Sequence, residues 1–343
     1  MMVLLPIIVV LASTVIAIRI INTQRFASVS HEKMPAYYSE PANLSLYPTK
    51  IENITVDKVD QGAAQGFHFI PNIKEKRGVV IVFGGSEGTP GFEQAAMLSK
   101  NGYETLALFM FGQKNQPKTL TKIPLEQFED VLSYLKNKEI DSKTMTIIAA
   151  SKGAEYALNM ATIYPDISNL ILISPSAYTF NGLDFNDYGS SWTYKDEELP
   201  FIDIKKTSFT SFIRDMIIPL LTKSPISCRD MYTGAIERES HLISKTISVT
   251  NTKANILLLV GEDDQMWDSY TMAVSIEKQR PENTMVRSFP DAGHTLRGAR
   301  YIHTGSTILE VGGEEKPNRK AKAESETLIL ETLMSWHTPL LED

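Results

Sequence analysis

The chain has 343 residues, 43% of them apolar and 22% charged, with 19 Gly and 17 Pro. That ordinary globular composition excludes collagen-like, coiled-coil and fully disordered readings, and it supplies enough apolar surface for a core without staples. The net charge of −7 leaves no basic excess for a phosphate backbone, so no nucleic-acid partner is expected, and the single cysteine, Cys228, excludes both an internal disulfide and a Cys-rich metal framework.

From Met1 to Ala17 there is no charged side chain, and the first is Arg19. The apolar stretch is about 17–18 residues, the lower limit for crossing a bilayer core. A secretory signal wants Lys or Arg near its start, which is missing here, and a globular core helix is rarely apolar on every side. Residues 1–21 are therefore predicted to form a single-pass membrane anchor, with a cleaved signal and a core helix as alternatives. The nearest cations, Arg19, Arg25 and Lys33, follow the stretch, so the positive-inside rule places the rest of the chain in the cytoplasm. Signal cleavage would instead make it periplasmic or secreted. Residues 22–50 are polar, are broken by Pro35, Pro41 and Pro48, and predict a linker, either a tether or an irregular edge segment.

Residues 51–343 read as one domain. Gly78 to Phe83 predicts a buried strand running into a glycine-rich turn, and Phe92 to Lys100 a helix stopped by Asn101-Gly102. Tyr103 to Phe109 is again strand-like. Pro124 to Lys136 places Leu125, Phe128, Val131, Leu132 and Leu135 at helical spacing. Thr144 to Ala150 predicts a strand, Ala154 to Ile163 a helix, and Leu170 to Ser174 and Ile256 to Val260 further strands. Such alternation predicts an α/β fold, a mostly parallel sheet with helices on both faces. The rhythm breaks between Ser174 and Asn255, where an insertion of about 175–255 is expected to form a cap. The charged segment Glu314 to Lys322 reads as a solvated loop before a last helix, Ser325 to Trp336.

The chemistry concentrates at Ala149-Ala150-Ser151-Lys152-Gly153, where a buried strand enters a small-residue turn and a helix leaves it. A nucleophile elbow requires this context, because the tight turn leaves no room for large neighbours. The pattern is A-x-S-x-G, and the other explanation is a serine that merely caps a helix. Ile256 to Asp264 is a strand delivering a carboxylate at its C-terminal edge, and Phe289 to His294 brings a histidine just past another strand. The order Ser, Asp, His is that of the α/β-hydrolase fold. Asp263 is the rival carboxylate, and adjacent strand-end side chains point to opposite sides, so one of the two serves. His31, His68 and His337 read as solvated or core histidines. His241 and His303 read the same way, with substrate contact as their alternative. Gly84-Gly85-Ser86-Glu87-Gly88 follows an early strand, where this fold places an oxyanion donor; neither phosphate-loop pattern is matched. The expected site is Ser151 as nucleophile, His294 as base and Asp264 as its partner. The backbone N–H groups of Lys152 and of Ser86 or a neighbour are expected to form the oxyanion hole, with no metal or cofactor.

Further landmarks are Phe111-Gly112, Ile123-Pro124-Leu125-Glu126-Gln127-Phe128, Ser151-Lys152-Gly153-Ala154-Glu155 and Ser191-Trp192-Thr193-Tyr194. Gly261-Glu262-Asp263-Asp264 with Trp267, and then Ala292-Gly293-His294, complete the set. In these the sequence from about Gly78 onward resembles the catalytic domain of type I acyl-CoA thioesterases and of bile acid-CoA:amino acid N-acyltransferase. The resemblance implies an α/β-hydrolase, a Ser151–Asp264–His294 triad and a coenzyme A thioester substrate. In that family the transferases use cysteine and the hydrolases serine, so Ser151 implies hydrolysis to free fatty acid and CoA. Two alternatives remain: a serine carboxylesterase or peptidase of the cell envelope, and an acyl-CoA:amino acid N-acyltransferase. The chain departs from the pattern in three places. Ala149 replaces the usual glycine, the segment after Gly312-Gly313 is more charged, and only residues 22–77 stand where eukaryotic members carry a β-sandwich, which is expected to be absent.

Overall fold

The computed structural model describes residues 4–27, 29, 34–305 and 307–339; His31 and Lys33 lie outside the described residues. Eight strands form the central sheet. They are β1 (Ile54–Gln61), β2 (Ala64–Pro71), β3 (Val79–Phe83), β4 (Thr105–Leu108), β5 (Met145–Ala150), β6 (Asn169–Ile173), β7 (Asn255–Gly261) and β8 (Thr284–Phe289). Their order across the sheet is β1-β2-β4-β3-β5-β6-β7-β8. β2 runs antiparallel to both neighbours, and the strands from β4 to β8 are mutually parallel.

The strand sequences explain the layering. Val79, Ile81 and Phe83 belong to one core cluster and Val80 and Val82 to the other, so the period-2 alternation of β3 feeds both faces. A strand buried on both sides has little use for polar positions, which is why VVIVF, and LILI after Asn169, read as unbroken apolar runs. Helices α2 (Phe92–Lys100) and α7 (Glu315–Trp336) cover one face through Phe92, Leu98, Ile329 and Leu333. Helices α3 (Gln127–Asn137), α4 (Lys152–Ala161) and α6 (Ser269–Gln279) cover the other.

Three segments differ from expectation. The N-terminal helix, α1 (Leu4–Ala27), continues six residues beyond the expected anchor boundary at residue 21. It is long and apolar enough to cross a membrane or to serve as a signal sequence, and its side chains from Ile7 to Ile21 are exposed except the half-buried Val15. The expected linker is not free chain. Tyr37 and Tyr47 stack at 4.4 Å between ring centroids and pack against Phe92 and Phe67. Two buried aromatic rings outweigh the entropy that three prolines and a polar composition favour. The charged segment from Glu314 is the start of α7 rather than a loop, since Arg319–Glu315 and Lys322–Glu326 pair at one-turn spacing once the helix exists.

The insertion after β6 carries a short strand, Trp192–Tyr194, paired with Ile123–Pro124, and a continuous helical run from Phe209 to Thr222 whose middle, Ile213–Ile217, is a π-helix. Helix α5 (Arg229–Glu237) follows. Phe180, Trp192, Ile202 and Tyr232 join the core cluster of the main sheet, so the insertion is packed onto the domain as part of its core.

Near the end of α5 the buried carboxylate of Glu239 bonds to both Lys206 (2.7 Å) and Lys245 (2.6 Å). Burial alone pushes this carboxyl up. Hydrogen bonds from the two ammonium groups and the His241 N–H outweigh burial and hold it at about 2, below the ordinary 4.5. A group depressed on folding contributes stability that is full above about pH 4.5 and lost as pH falls toward 2. Glu239→Gln is therefore expected to lower the thermal transition at pH 7 by about 2–4 °C. Melts followed by circular dichroism should show the gap from wild type closing between pH 4.5 and 2.

Candidate active site

The turn between β5 and α4 holds Ser151 at φ 54 and ψ −121, a conformation that costs a non-glycine residue free energy and persists where its surroundings enforce it. The surroundings are specific. A Cβ placed on Gly153 would lie 1.9 Å from the Gly84 carbonyl oxygen, so only glycine lets α4 approach the end of β3 this closely. Ala149 faces the core and is buried, and its methyl group is accommodated there. The Ser151 hydroxyl makes no capping bond to α4, which removes helix capping as its explanation.

His294 enters from the loop after β8. Its N–H donates to the Val311 carbonyl at 2.7 Å, its own carbonyl accepts from Ser174 Oγ at 2.5 Å, and its ring meets the edge of Trp267 at 5.5 Å. The two backbone bonds hold the loop, and Trp267 flanks the ring. Its Nε2 stands 2.8 Å from Ser151 Oγ and its Nδ1 2.8 Å from Asp264 Oδ2. Asp264 is buried at 1% exposure, and its other oxygen accepts the backbone N–H groups of Met266 (2.8 Å) and Trp267 (3.2 Å). Those two donors orient the carboxylate and leave Oδ2 for the histidine.

Asp263 points elsewhere, as strand-end alternation requires. It accepts from Arg300 Nη1 at 2.8 Å, the Gly313 N–H at 3.0 Å and Gln265 Nε2 at 2.6 Å. Burial pushes its carboxyl up, but these partners win and hold it below the usual range. Its work is to tie the Asp264 loop to the segment around Arg300 and Gly313. Two of the remaining histidines are structural. Buried His68 bonds to Tyr134 and Glu104, and buried His337 bonds to Thr146 Oγ1 and the Arg77 carbonyl. His241 precedes the short helix Leu242–Lys245, and His303 is exposed on the Tyr301–Glu310 hairpin. Among the described residues no group of His, Cys, Asp or Glu is placed to hold a metal ion.

The glycine-rich turn places Ser86 and its neighbour Gly85 differently. Ser86 is exposed at the tip of the turn, whereas a Cβ on Gly85 would stand 3.3 Å from Ser151 Cβ, so Gly85 is the backbone lying over the serine. The Gly85 N–H already has a partner: both oxygens of Glu87 accept it at 3.0 Å, and Thr89 Oγ1 donates to the same carboxylate at 2.7 Å.

Lys152 begins α4, and its side chain turns inward to Glu155 at 2.6 Å, both residues being buried. Glu155 also accepts the Phe180 N–H at 2.9 Å and the Trp192 indole N–H at 2.8 Å. Burial pushes Glu155 up and Lys152 down, against the attraction between them. This node ties the first turn after Ser151 to the insertion. The sequence marked Glu155 only as part of a motif, because its partners are distant in the chain.

A serine strained above the C-terminal edge of a mainly parallel sheet, with histidine and carboxylate arriving in that order from later strands, defines an α/β-hydrolase. Solved structures agree on the fold. An esterase from Pyrococcus furiosus superposes with a TM-score of 0.50 and 16% identity, covering 84% of this chain and 97% of that one. An acylaminoacyl peptidase from Pyrococcus horikoshii gives 0.52 and 16%, covering 85% and 43%. Residues 123–325 match the family described as BAAT / Acyl-CoA thioester hydrolase C terminal, and the chain belongs to it. Similar curated proteins include acyl-coenzyme A thioesterase 1 of Rattus norvegicus, 25% identical over 264 residues. Mitochondrial acyl-coenzyme A thioesterase 2 of the same species is 26% identical over 263. Each alignment covers 72% of this chain but only 57% and 52% of those proteins.

Removing one partner of a buried pair leaves the other charge uncompensated, at a cost of about 3–5 kcal/mol. Glu155→Ala is expected to lose that much in urea unfolding. The double variant Lys152→Met with Glu155→Leu should recover only part of it, because the Phe180 and Trp192 N–H groups stay without an acceptor.

Proposed function

We propose that this chain hydrolyses acyl-CoA thioesters through an acyl-serine intermediate, with Ser151 as nucleophile, His294 as general base and acid, and Asp264 as the group that orients and stabilises the imidazolium. The observation that carries this reading is the unbroken row of contacts from Ser151 Oγ to His294 to Asp264, 2.8 Å at each step. Family membership supports the thioester substrate.

The steps follow from the geometry. Ser151 Oγ attacks the thioester carbonyl carbon while His294 Nε2 takes the hydroxyl proton. Collapse of the tetrahedral oxyanion expels the CoA thiolate, which takes the proton from His294. A thiol with an ordinary pKa of about 8.5 leaves readily, so this step asks little of the acid. Water then attacks the serine ester, gives its proton to His294 and releases the fatty acid with Ser151 restored. The N–H groups of Lys152 and Gly85 stand as the oxyanion donors, Gly85 in place of its neighbour Ser86. Such a donor contributes about 2.7–4 kcal/mol to the transition state. Because Glu87 occupies the Gly85 N–H, its carboxylate has to swing aside before an oxyanion can be held there. Helix α1 serves in this reading as a membrane anchor that keeps the hydrolase on the cytoplasmic side, where coenzyme A thioesters occur.

Purified protein should release CoA from palmitoyl-CoA, and Ser151→Ala should lower kcat/KM by at least about a thousandfold. Turnover of p-nitrophenyl butyrate without palmitoyl-CoA would make the chain a carboxylesterase instead. Formation of N-palmitoylglycine in the presence of glycine would make it a transferase. Activity unchanged in Ser151→Ala would end every serine mechanism. Glu87→Ala, which frees the Gly85 N–H, is expected to raise kcat several-fold in the same assay; a loss would mean that Glu87 supports the turn.

A further inference from the structure

The insertion carries a surface that the proposed chemistry does not use. Along the helical run from Phe209 to Thr222, Phe209 is 79% exposed, and Phe212, Ile218, Leu220 and Leu221 are 41–51% exposed. Soluble domains rarely leave so many large apolar side chains together facing water without a partner. The run is also not isolated. Its last turn, Ile218–Thr222, packs against α1. Arg19 Nη1 donates to the Leu221 carbonyl at 3.1 Å, and buried Asn22 donates to the Thr222 carbonyl at 3.0 Å and to Ser224 Oγ at 2.9 Å.

We infer that the run from Phe209 to Thr222 lies in the surface of the same bilayer that α1 enters, so that the domain rests on the membrane through its insertion. The inference depends on reading α1 as an anchor. Contact with α1 falls at Arg19 and Asn22, where the apolar stretch of α1 ends and polar residues begin. A cation at that boundary belongs at the level of the headgroups. Whatever is bonded to that turn of α1 is held at the same depth, and what is bonded there is an apolar helix with open side chains. An apolar helix fixed at an interface buries its exposed face into the acyl boundary. The placement also bears on the site. Five residues after Lys223 the chain reaches the carboxylate loop, where the Cys228 N–H donates to the Gln265 carbonyl at 3.0 Å and Arg229 Nη1 to the Asp264 carbonyl at 3.0 Å. The membrane-bound helix and the Asp264 loop are therefore mechanically continuous.

The test uses the full chain in phosphatidylcholine vesicles, in a Cys228→Ala background, with a spin label on a single cysteine placed by Phe209→Cys, Val10→Cys or Ile73→Cys. An unchanged thermal transition shows that the label is tolerated, and Leu220→Cys replaces Phe209→Cys where it is not. Power saturation compares access by oxygen, which concentrates in lipid, with access by a nickel chelate, which stays in water. Labels at 10 and 209 are expected to favour oxygen several-fold, and the label at 73, in the turn after β2, to favour the chelate. A label at 209 that behaves like 73 while 10 behaves as lipid-exposed overturns this inference and leaves the anchor standing. Water-like behaviour at both 10 and 209 overturns the anchor and this inference together. Shielding of 209 from both reagents, with spin–spin broadening that disappears on dilution with unlabelled chain, would assign the surface to a second copy and overturn the inference as well.

Discussion

The architecture of the site turns on one steric constraint, the approach of α4 to the end of β3 at the Gly153–Gly84 contact. No side chain fits between them, and with α4 held that close the residue that leads into it from β5, Ser151, takes a backbone conformation that keeps its hydroxyl off the helix it precedes. A serine in ordinary capping geometry would spend its oxygen on the helix N-terminus. Here the oxygen is free for His294, and the strain is met by the pairing of two largely buried strands, β3 and β5, side by side in the sheet.

The insertion is joined to both halves of this arrangement. Glu155 receives the Phe180 and Trp192 N–H groups on the nucleophile side, and Arg229 grips the Asp264 loop on the other. Hydrogen bonds of this kind in a water-free interior are costly to leave unmade, which makes the insertion a rigid brace for the site. Its outer helix, in contrast, is bonded to α1, which among the described residues is the one helix both long and apolar enough to cross a bilayer. One segment thus couples the chemistry inside the domain to the surface outside it.

How much of this could be read from residues alone follows their range of interaction. The A-x-S-x-G turn, the carboxylate at the end of β7 and the histidine after β8 are local signals, each a strand followed at once by a chemically committed side chain, and the structure brings all three together. The choice of Asp264 over Asp263 needs the partner of each, Arg300 and Gly313 for one and the histidine for the other, and these come from distant chain segments. Tyr37 and Tyr47 look like residues of a loose tether until Phe67 and Phe92 are seen beneath them. The β1–β2 hairpin is weakly patterned because β1 is an edge strand with half its side chains in water. Charge at Glu314 to Lys322 reads as loop only until helical spacing turns it into pairs, and which residue of the Gly84–Gly88 turn lies nearest Ser151 is set by backbone geometry that composition does not carry.

The central claim is that the Ser151 oxygen becomes covalently acylated during turnover. Acid quenching of the enzyme while it consumes palmitoyl-CoA, followed by peptide mass spectrometry, tests it directly. One palmitoyl ester on the peptide bearing Ser151, absent when Ser151→Ala is treated in the same way, is the predicted result. A palmitoyl group on another residue, or turnover with no acylated peptide under conditions that preserve oxygen esters, would contradict it.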